Sequence, residues 1–279
     1  MLKLFLSILM LIFLNPVLAS ACTIFAAQGD CVENGGTLIA KVRDFQPGPQ
    51  ELRLNAKGKY AFYGLYGGSD REKLSCRGGV NEKGLVVVNA MTSCIPKKQR
   101  LTYPSKPTIR MVLQNCASVA EALEHKELFY GTKFLIIGDS KEIALIEIGA
   151  EGATSIKREK NNCLAHTNYY LDPKFANLNI NVGESSATRY QRITELLETT
   201  EKPLSMQNFI GFTQDQNAGP DNSIWRLGSR PKVSESLAAF VVKITPDGDF
   251  KLWIKYRPEV EDKGNERIVE LTREDIFEN

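Results

Sequence analysis

The sequence predicts an α+β fold of antiparallel sheets with helices packed on them. Two observations carry that reading. Short apolar and β-branched runs recur along the chain with turn residues between neighbours, the pattern of hairpins rather than of strand–helix–strand crossovers. The helical segments fall into two groups, one before and one after the midpoint, instead of alternating with the strands.

Residues 22–27 (CTIFAA) and 37–44 (TLIAKVRD) are strand-like runs. Gly29-Asp30 and Asn34-Gly35-Gly36 lie between them, so they form a hairpin. Residues 45–50, rich in proline and glycine, are a loop. Short strands over 51–54 and 60–65 flank Lys57-Gly58, and 76–80 leads into the turn Asn81-Glu82-Lys83-Gly84. The run 85–89 (LVVVN) follows, with strong strand preference. Helices are predicted over 108–114 and 118–125, the second capped by Ser118 with Glu121 three residues on. Residues 134–137 and 143–148 pair around Gly138-Asp139-Ser140. Ser185 or Ser186 caps a helix running through Arg189, Ile193, Leu196 and Leu197, and 206–212 is a shorter helix. Residues 237–244 and 250–256, split by Pro246-Asp247-Gly248, form the last hairpin.

The first 21 residues read as a removable leader and 22–279 as a single domain. Lys3 gives a positive start, residues 4–14 (LFLSILMLIFL) are apolar, and Asn15-Pro16 ends the run before Ala19-Ser20-Ala21, an A-x-A cleavage site. The apolar run is too short for a membrane span, which takes roughly twenty residues. Cleavage after Ala21 implies export, to a periplasm or the medium, with Cys22 as first residue. A free α-amine, reference pKa roughly 7.7–8.0, would then share a residue with a thiol of reference pKa about 8.5. Such a residue holds its own base and nucleophile and needs no histidine partner. The competing reading is a lipoprotein anchored through Cys22, because Ala19-Ser20-Ala21-Cys22 also permits a lipobox; lipidation would block both groups. The usual leucine three residues before the cysteine is absent.

A formal net charge of +2, which loss of Lys3 lowers by one, offers no case for nucleic acid. No second apolar run is long enough to span a membrane, and Lys97-Lys98-Gln99-Arg100 reads as a solvated loop. Cys22, Cys31, Cys76, Cys94, Cys116 and Cys163 contain no CxxC, and neither His125 nor His166 falls in a zinc spacing, which argues against a structural zinc. Their disulfide connectivity and the oligomeric state, a homo-oligomer included, stay open.

Four segments carry the chemistry: Cys22-Thr23-Ile24-Phe25; Ala40-Lys41-Val42-Arg43-Asp44-Phe45; Gly79-Val80-Asn81-Glu82-Lys83-Gly84-Leu85 with Asn89 beyond; and His166-Thr167-Asn168 followed by Ser186-Ala187-Thr188-Arg189-Tyr190. In this order, behind a site that exposes cysteine, they resemble the choloylglycine hydrolase and acyl-transferase branch of the N-terminal nucleophile hydrolases. That branch includes bile salt hydrolases, penicillin V acylase, acid ceramidase and acyl-CoA:6-aminopenicillanic acid acyltransferase-like proteins. The resemblance runs from Cys22 to about Tyr190. It implies a four-layer αββα sandwich, cleavage of a linear non-peptide amide through a thioester on Cys22, a small-molecule N-acyl amide as substrate, and no metal or organic cofactor. An acyltransferase or a dipeptidase-like relative with the same nucleophile is the nearest alternative.

The resemblance also assigns roles. Asp44 would hold the new ammonium, Asn168 would contact the amine or the oxyanion, and Arg189 matches the arginine at the head of a later helix. The family's arginine three residues before the aspartate is Lys41 here, with Arg43 nearby; alternation puts Lys41 and Arg43 on one face and Asp44 on the other unless a bulge intervenes. Asn89 is a candidate oxyanion donor, although the bile salt hydrolase asparagine falls at the position of Met91, which leaves the register open. His166 reads as a packing or hydrogen-bonding residue. Tyr60, Phe62, Tyr63, Tyr66, Phe129 and Tyr130 are candidates for an apolar acyl pocket or for core.

Overall fold

A computed structural model describes residues 21–278; of the expected leader only Ala21 lies within them. The strands are β1 (Cys22–Gln28), β2 (Thr37–Phe45), β3 (Gln50–Asn55), β4 (Phe62–Gly67), β5 (Ser75–Asn81), β6 (Val86–Met91), β7 (Lys133–Gly138), β8 (Ile143–Ile148), β9 (Thr154–Glu159), β10 (Cys163–His166), β11 (Glu235–Ile244), β12 (Phe250–Tyr256) and β13 (Arg267–Thr272). The helices are α1 (Lys97–Arg100), α2 (Thr108–Asn115), α3 (Val119–Glu124), α4 (Glu184–Thr199), α5 (Met206–Thr213), α6 (Gly219–Asn222) and α7 (Arg273–Phe277).

Two antiparallel sheets result, one ordered β10-β1-β2-β11-β12-β13 and the other β3-β4-β5-β6-β7-β8-β9. Three apolar layers hold them. Between the sheets lie Ile24, Ile39, Val86, Val88, Ile136 and Phe240. Val87, Leu135 and Ile137 face the other way, under Ile109, Val112 and Leu113 of α2 and Val119 of α3. On the first sheet Phe25, Ala40 and Val241 pack under Ile193 of α4 and Phe209 and Phe212 of α5. The order helix, sheet, sheet, helix is the αββα sandwich. It explains why β1 and β11 are apolar almost throughout: a strand covered on both faces loses the alternation of a half-exposed one.

The structure corrects some sequence readings. β9, β10 and β13 were not predicted. β9 and β13 are sheet edges, and their charged residues (Lys157, Arg158 and Glu159; Arg267 and Glu270) guard against edge-to-edge pairing while erasing the apolar signal. β10 has only four residues. α4 is capped by Gly183 rather than by a serine: Ser185 and Ser186 sit in its first turn, with Ser185 Oγ donating to the Asp221 carbonyl. Residues 97–100 form the single turn α1 rather than a loop, and the Arg100 guanidinium turns inward to donate to the Thr92 carbonyl at 3.1 Å.

Candidate active site

Cys22 opens β1 and is 3 % exposed. It stands opposite Arg43 of β2, and its side chain faces the space between the sheets along with Ile24 and Ala26. Its nitrogen donates to Asn168 Oδ1 at 2.9 Å. Asn168 lies two residues beyond β10 and ties the sheets together, since its Nδ2 donates to the Met91 carbonyl at 2.8 Å. Arg189, in α4 and fully buried, reaches both residues. Nη1 donates to the Cys22 carbonyl and to Thr23 Oγ1, each at 2.8 Å, and Nη2 to Asn168 Oδ1 at 3.0 Å. Burial pulls the Arg189 pKa down to about 10, opposed by Asp44. One acceptor oxygen thus faces the Cys22 nitrogen with its orientation fixed from behind.

Lys41 and Arg43 share the Cys22 face of β2. Lys41 Nζ donates to Asn89 Oδ1 at 2.9 Å and to the Asn89 carbonyl. Burial pulls its pKa down to about 8, opposed by the Cys22 thiol. Arg43 Nε donates to Gln50 Oε1, and burial together with Arg77 lowers its pKa to about 9. Asp44 faces the other way, as alternation requires; the irregularity at this point lies in β11, between Ser236 and Ala238. Its backbone N–H donates to the Ala21 carbonyl at 3.0 Å, so it stands beside the peptide that precedes Cys22. Ser236 Oγ donates to its Oδ1 at 2.6 Å, and Arg226 Nη1 is 3.9 Å from Oδ2. Burial pushes the Asp44 carboxyl up, opposed by Arg189, Arg226 and the Ser236 hydrogen bond.

All seven sequence-selected residues, Cys22, Lys41, Arg43, Asp44, Asn89, Asn168 and Arg189, therefore meet around the start of β1. Arg77, Gln50, Arg226 and Ser236 were missed. A buried hydroxyl in the apolar run of β11 is the signal that could have found Ser236; an arginine in a loop carries none. Lys41, Arg43, Arg77 and Arg189 all lie within electrostatic reach of the thiol. Fixed cations of this kind stabilise negative charge that develops at sulfur or at an attacked carbonyl. His166 stands apart. Its Nε2 is 2.7 Å from Glu147 Oε1, its Nδ1 3.0 Å from the Thr167 carbonyl, and its ring lies against Phe134. Of the aromatic residues considered for an acyl pocket, Phe62, Tyr66 and Phe129 belong to the core under α2, and Tyr66 alone of the six also borders the cleft that contains Asn89.

Two predictions follow from this geometry. Lysine at position 189 should rescue little. A single ammonium cannot reach the Cys22 carbonyl, Thr23 Oγ1 and Asn168 Oδ1 as the planar fork does. Both Arg189→Lys and Arg189→Ala are expected to lower kcat by roughly 10²-fold or more, the scale of a slight misplacement of reacting groups. Steady-state kinetics of the two would show otherwise if lysine retained most of the rate. The other prediction concerns Lys41. With its pKa at about 8 in the fold against 10.5 as the ordinary value, the folded chain binds fewer protons than the unfolded chain between those limits. Stability from this group therefore rises with pH across the window. Urea unfolding at pH 7.5 and 10 should show the wild type gaining on Lys41→Met by on the order of 2 kcal/mol. A constant difference would mean that Lys41 is not desolvated.

Two antiparallel sheets between helical layers, with this cluster at the head of β1, define the fold class of the N-terminal nucleophile hydrolases. Within that class the chain belongs to the acyl-coenzyme A:6-aminopenicillanic acid acyl-transferase family, whose model matches residues 31–250. Solved structures agree on the fold. Penicillin V acylase from Agrobacterium tumefaciens superposes with a TM-score of 0.55 at 15% identity, covering 90% of this chain and 86% of that one. A mutant of conjugated bile acid hydrolase from Clostridium perfringens gives 0.54 at 12% identity, covering 90% and 92%. A second variant of that hydrolase gives 0.54 at 14% identity with the same coverage. No curated protein sequence matches the chain significantly.

Proposed function

We propose that the chain is an exported cysteine amidohydrolase, cleaving linear N-acyl amide bonds through a thioester on Cys22 once residues 1–21 are removed. The observation that carries this reading is the 2.9 Å bond from the Cys22 nitrogen to Asn168 Oδ1, an oxygen also held by Arg189. A nitrogen fixed in this way keeps its lone pair, once it is an amine, in a set direction beside its own thiol. The amine takes the thiol proton as sulfur attacks the amide carbonyl. Asn89, whose Oδ1 is occupied by Lys41, offers Nδ2 to the oxyanion. The ammonium, bonded to Asn168, returns the proton to the leaving amine, and water then hydrolyses the thioester. Family membership and the kind of reaction the solved relatives are named for support amide hydrolysis or acyl transfer.

Two tests bear on this reading. The mature protein is expected to release the amine from some members of a panel of N-acyl amides that includes conjugated bile salts, penicillin V, ceramides and acyl-homoserine lactones. Repeating the reaction with a competing amine separates hydrolysis from transfer: an acyltransferase would form the new amide in place of the free acid. The anchored-lipoprotein reading requires Cys22 to reach a membrane surface. Its burial, with nitrogen and carbonyl bonded to the side chains of Asn168 and Arg189, speaks against that. Among the described residues no helix is long and apolar enough to cross a membrane. N-terminal mass spectrometry should find an unmodified Cys22 amine; a diacylglyceryl group there would overturn the proposal.

A further inference from the structure

A cleft of about 660 Å³ has Asn89 on its wall. Its wall carries five cationic side chains, Arg77, Arg100, Lys106, Arg110 and Lys133, and no acidic one. None of the five forms an ion pair with a described residue. Neutral oxygens solvate four of them instead. Arg77 Nε donates to the Gly67 carbonyl at 3.0 Å, Arg100 Nη1 to the Thr92 carbonyl at 3.1 Å, and Lys106 Nζ to the Glu127 carbonyl at 2.9 Å. Lys133 Nζ donates to the Lys106 carbonyl at 2.8 Å, with Ser105 Oγ and Thr108 Oγ1 behind it. Arg110 is exposed on α2. Burial lowers the Lys133 pKa to about 8 with no carboxylate opposing it. Burial pulls down the pKa of Arg77, Arg100 and Lys133, and the cost of desolvating these cations stays unrelieved unless an anion joins them. The volume lies within the ordinary range for a ligand site. Asn89 lines the cleft, and Arg77 on its wall lies within electrostatic reach of Cys22, so the cleft neighbours the catalytic cluster.

We propose that this cleft docks a dianionic group, of which a phosphate monoester is the type, on the part of the amide substrate remote from the scissile carbonyl. This rests on the reading of Cys22 as nucleophile for its catalytic arm alone. A carboxylate offers two oxygens and one charge, which a single guanidinium fork satisfies. A phosphate monoester offers three acceptor oxygens and close to two charges. Three arginines and two lysines suit the second group. The docked charge would fix which end of the amide leaves toward solvent and which is retained against the cations.

Calorimetric titration of the full chain with inorganic phosphate and pyrophosphate tests the binding directly and does not depend on turnover. Saturable binding is expected, weakening steeply with added salt and at least tenfold weaker in the Arg100→Gln/Arg110→Gln double variant. Arg110→Gln alone, at an exposed position, should weaken it several-fold, with an unchanged near-ultraviolet spectrum as the check on folding. No binding, or binding that the variants leave unaltered, overturns the proposal. In the catalytic arm, N-acyl ethanolamine and its O-phosphate are compared. The phosphate should have at least a tenfold lower KM, an advantage lost in the double variant while kcat on the neutral amide is kept. Equal KM values with active turnover overturn the proposal but leave the Cys22 reading intact. Phosphate binding with neither amide cleaved, nor any member of the N-acyl amide panel, sustains the proposal and sinks that reading. Sedimentation with vesicles containing phosphatidic acid, absent with phosphatidylcholine alone and lost in the double variant, assigns the phosphate to a lipid headgroup. Soluble binding without sedimentation assigns it to a soluble amide.

Discussion

Alanine in place of Cys22 is expected to reduce turnover of any N-acyl amide substrate by at least about 10³-fold, because the bond-forming atom is gone. The fold should survive. The side chain removed is a single sulfur at the end of the inter-sheet core, and the contacts that hold the strand start, from the Cys22 nitrogen to Asn168 and from Arg189 to the Cys22 carbonyl, belong to the backbone. A loss of about 1 kcal/mol or less in stability is the scale for so small a cavity. Cys22→Ser keeps the same bonds and places a hydroxyl among Lys41, Arg43 and Arg77. It is expected to fall nearly as far, since a hydroxyl remains protonated where a thiol is partly ionised. Single-turnover mass spectrometry gives the independent check. The wild type should gain the mass of the acyl group on the peptide that begins at Cys22, and neither variant should. Undiminished turnover in Cys22→Ala would end the mechanism.

The site was legible in the sequence to an uneven degree, for physical reasons. Cys22 could be picked out from the cleavage site before it, and Asp44, Asn168 and Arg189 through the resemblance, which rests on the order of four short segments along the chain. The shared face of Lys41 and Arg43 followed from strand alternation, and the fold supplies their partners, Asn89 and Gln50. Arg77 and Arg226 were not legible. They come from the rim of the second sheet and from a loop, and only the packing of two sheets sets them near Cys22 and Asp44. The same limit explains α1. Lys97, Lys98 and Arg100 form a charge run that reads as solvated surface, and nothing local tells that Arg100 folds back on Thr92 to line a cleft. Polar edge strands were lost for the opposite reason. β9 and β13 need charges to keep their free edges from pairing, and those charges hide the strand.

Retaining the leader, or adding one glycine before Cys22, is expected to abolish turnover as fully as removing the thiol. In the full chain the Cys22 nitrogen is a peptide nitrogen that already donates to Asn168 Oδ1. The extension therefore disturbs neither the fold nor the position of the sulfur; it removes only the basic lone pair. That separates this variant from one that is merely misfolded, and unfolding temperatures of extended and processed chains should agree within a few degrees. The processed chain should gain activity as pH rises through the α-amine range, roughly 7.7–8.0, because the base must be unprotonated. The extended chain should show no such limb. If the extended chain is instead fully active, the base lies elsewhere, and the structure narrows the choice. His166 is bound through Nε2 to Glu147 and cannot serve without breaking a buried pair. Lys41 can: burial brings its pKa down to about 8, and it lies on the Cys22 face of β2 within reach of the thiol's charge. An active extended form that dies on Lys41→Met would move the proton transfer from the amine of residue 22 to the side chain of residue 41, with the same nucleophile.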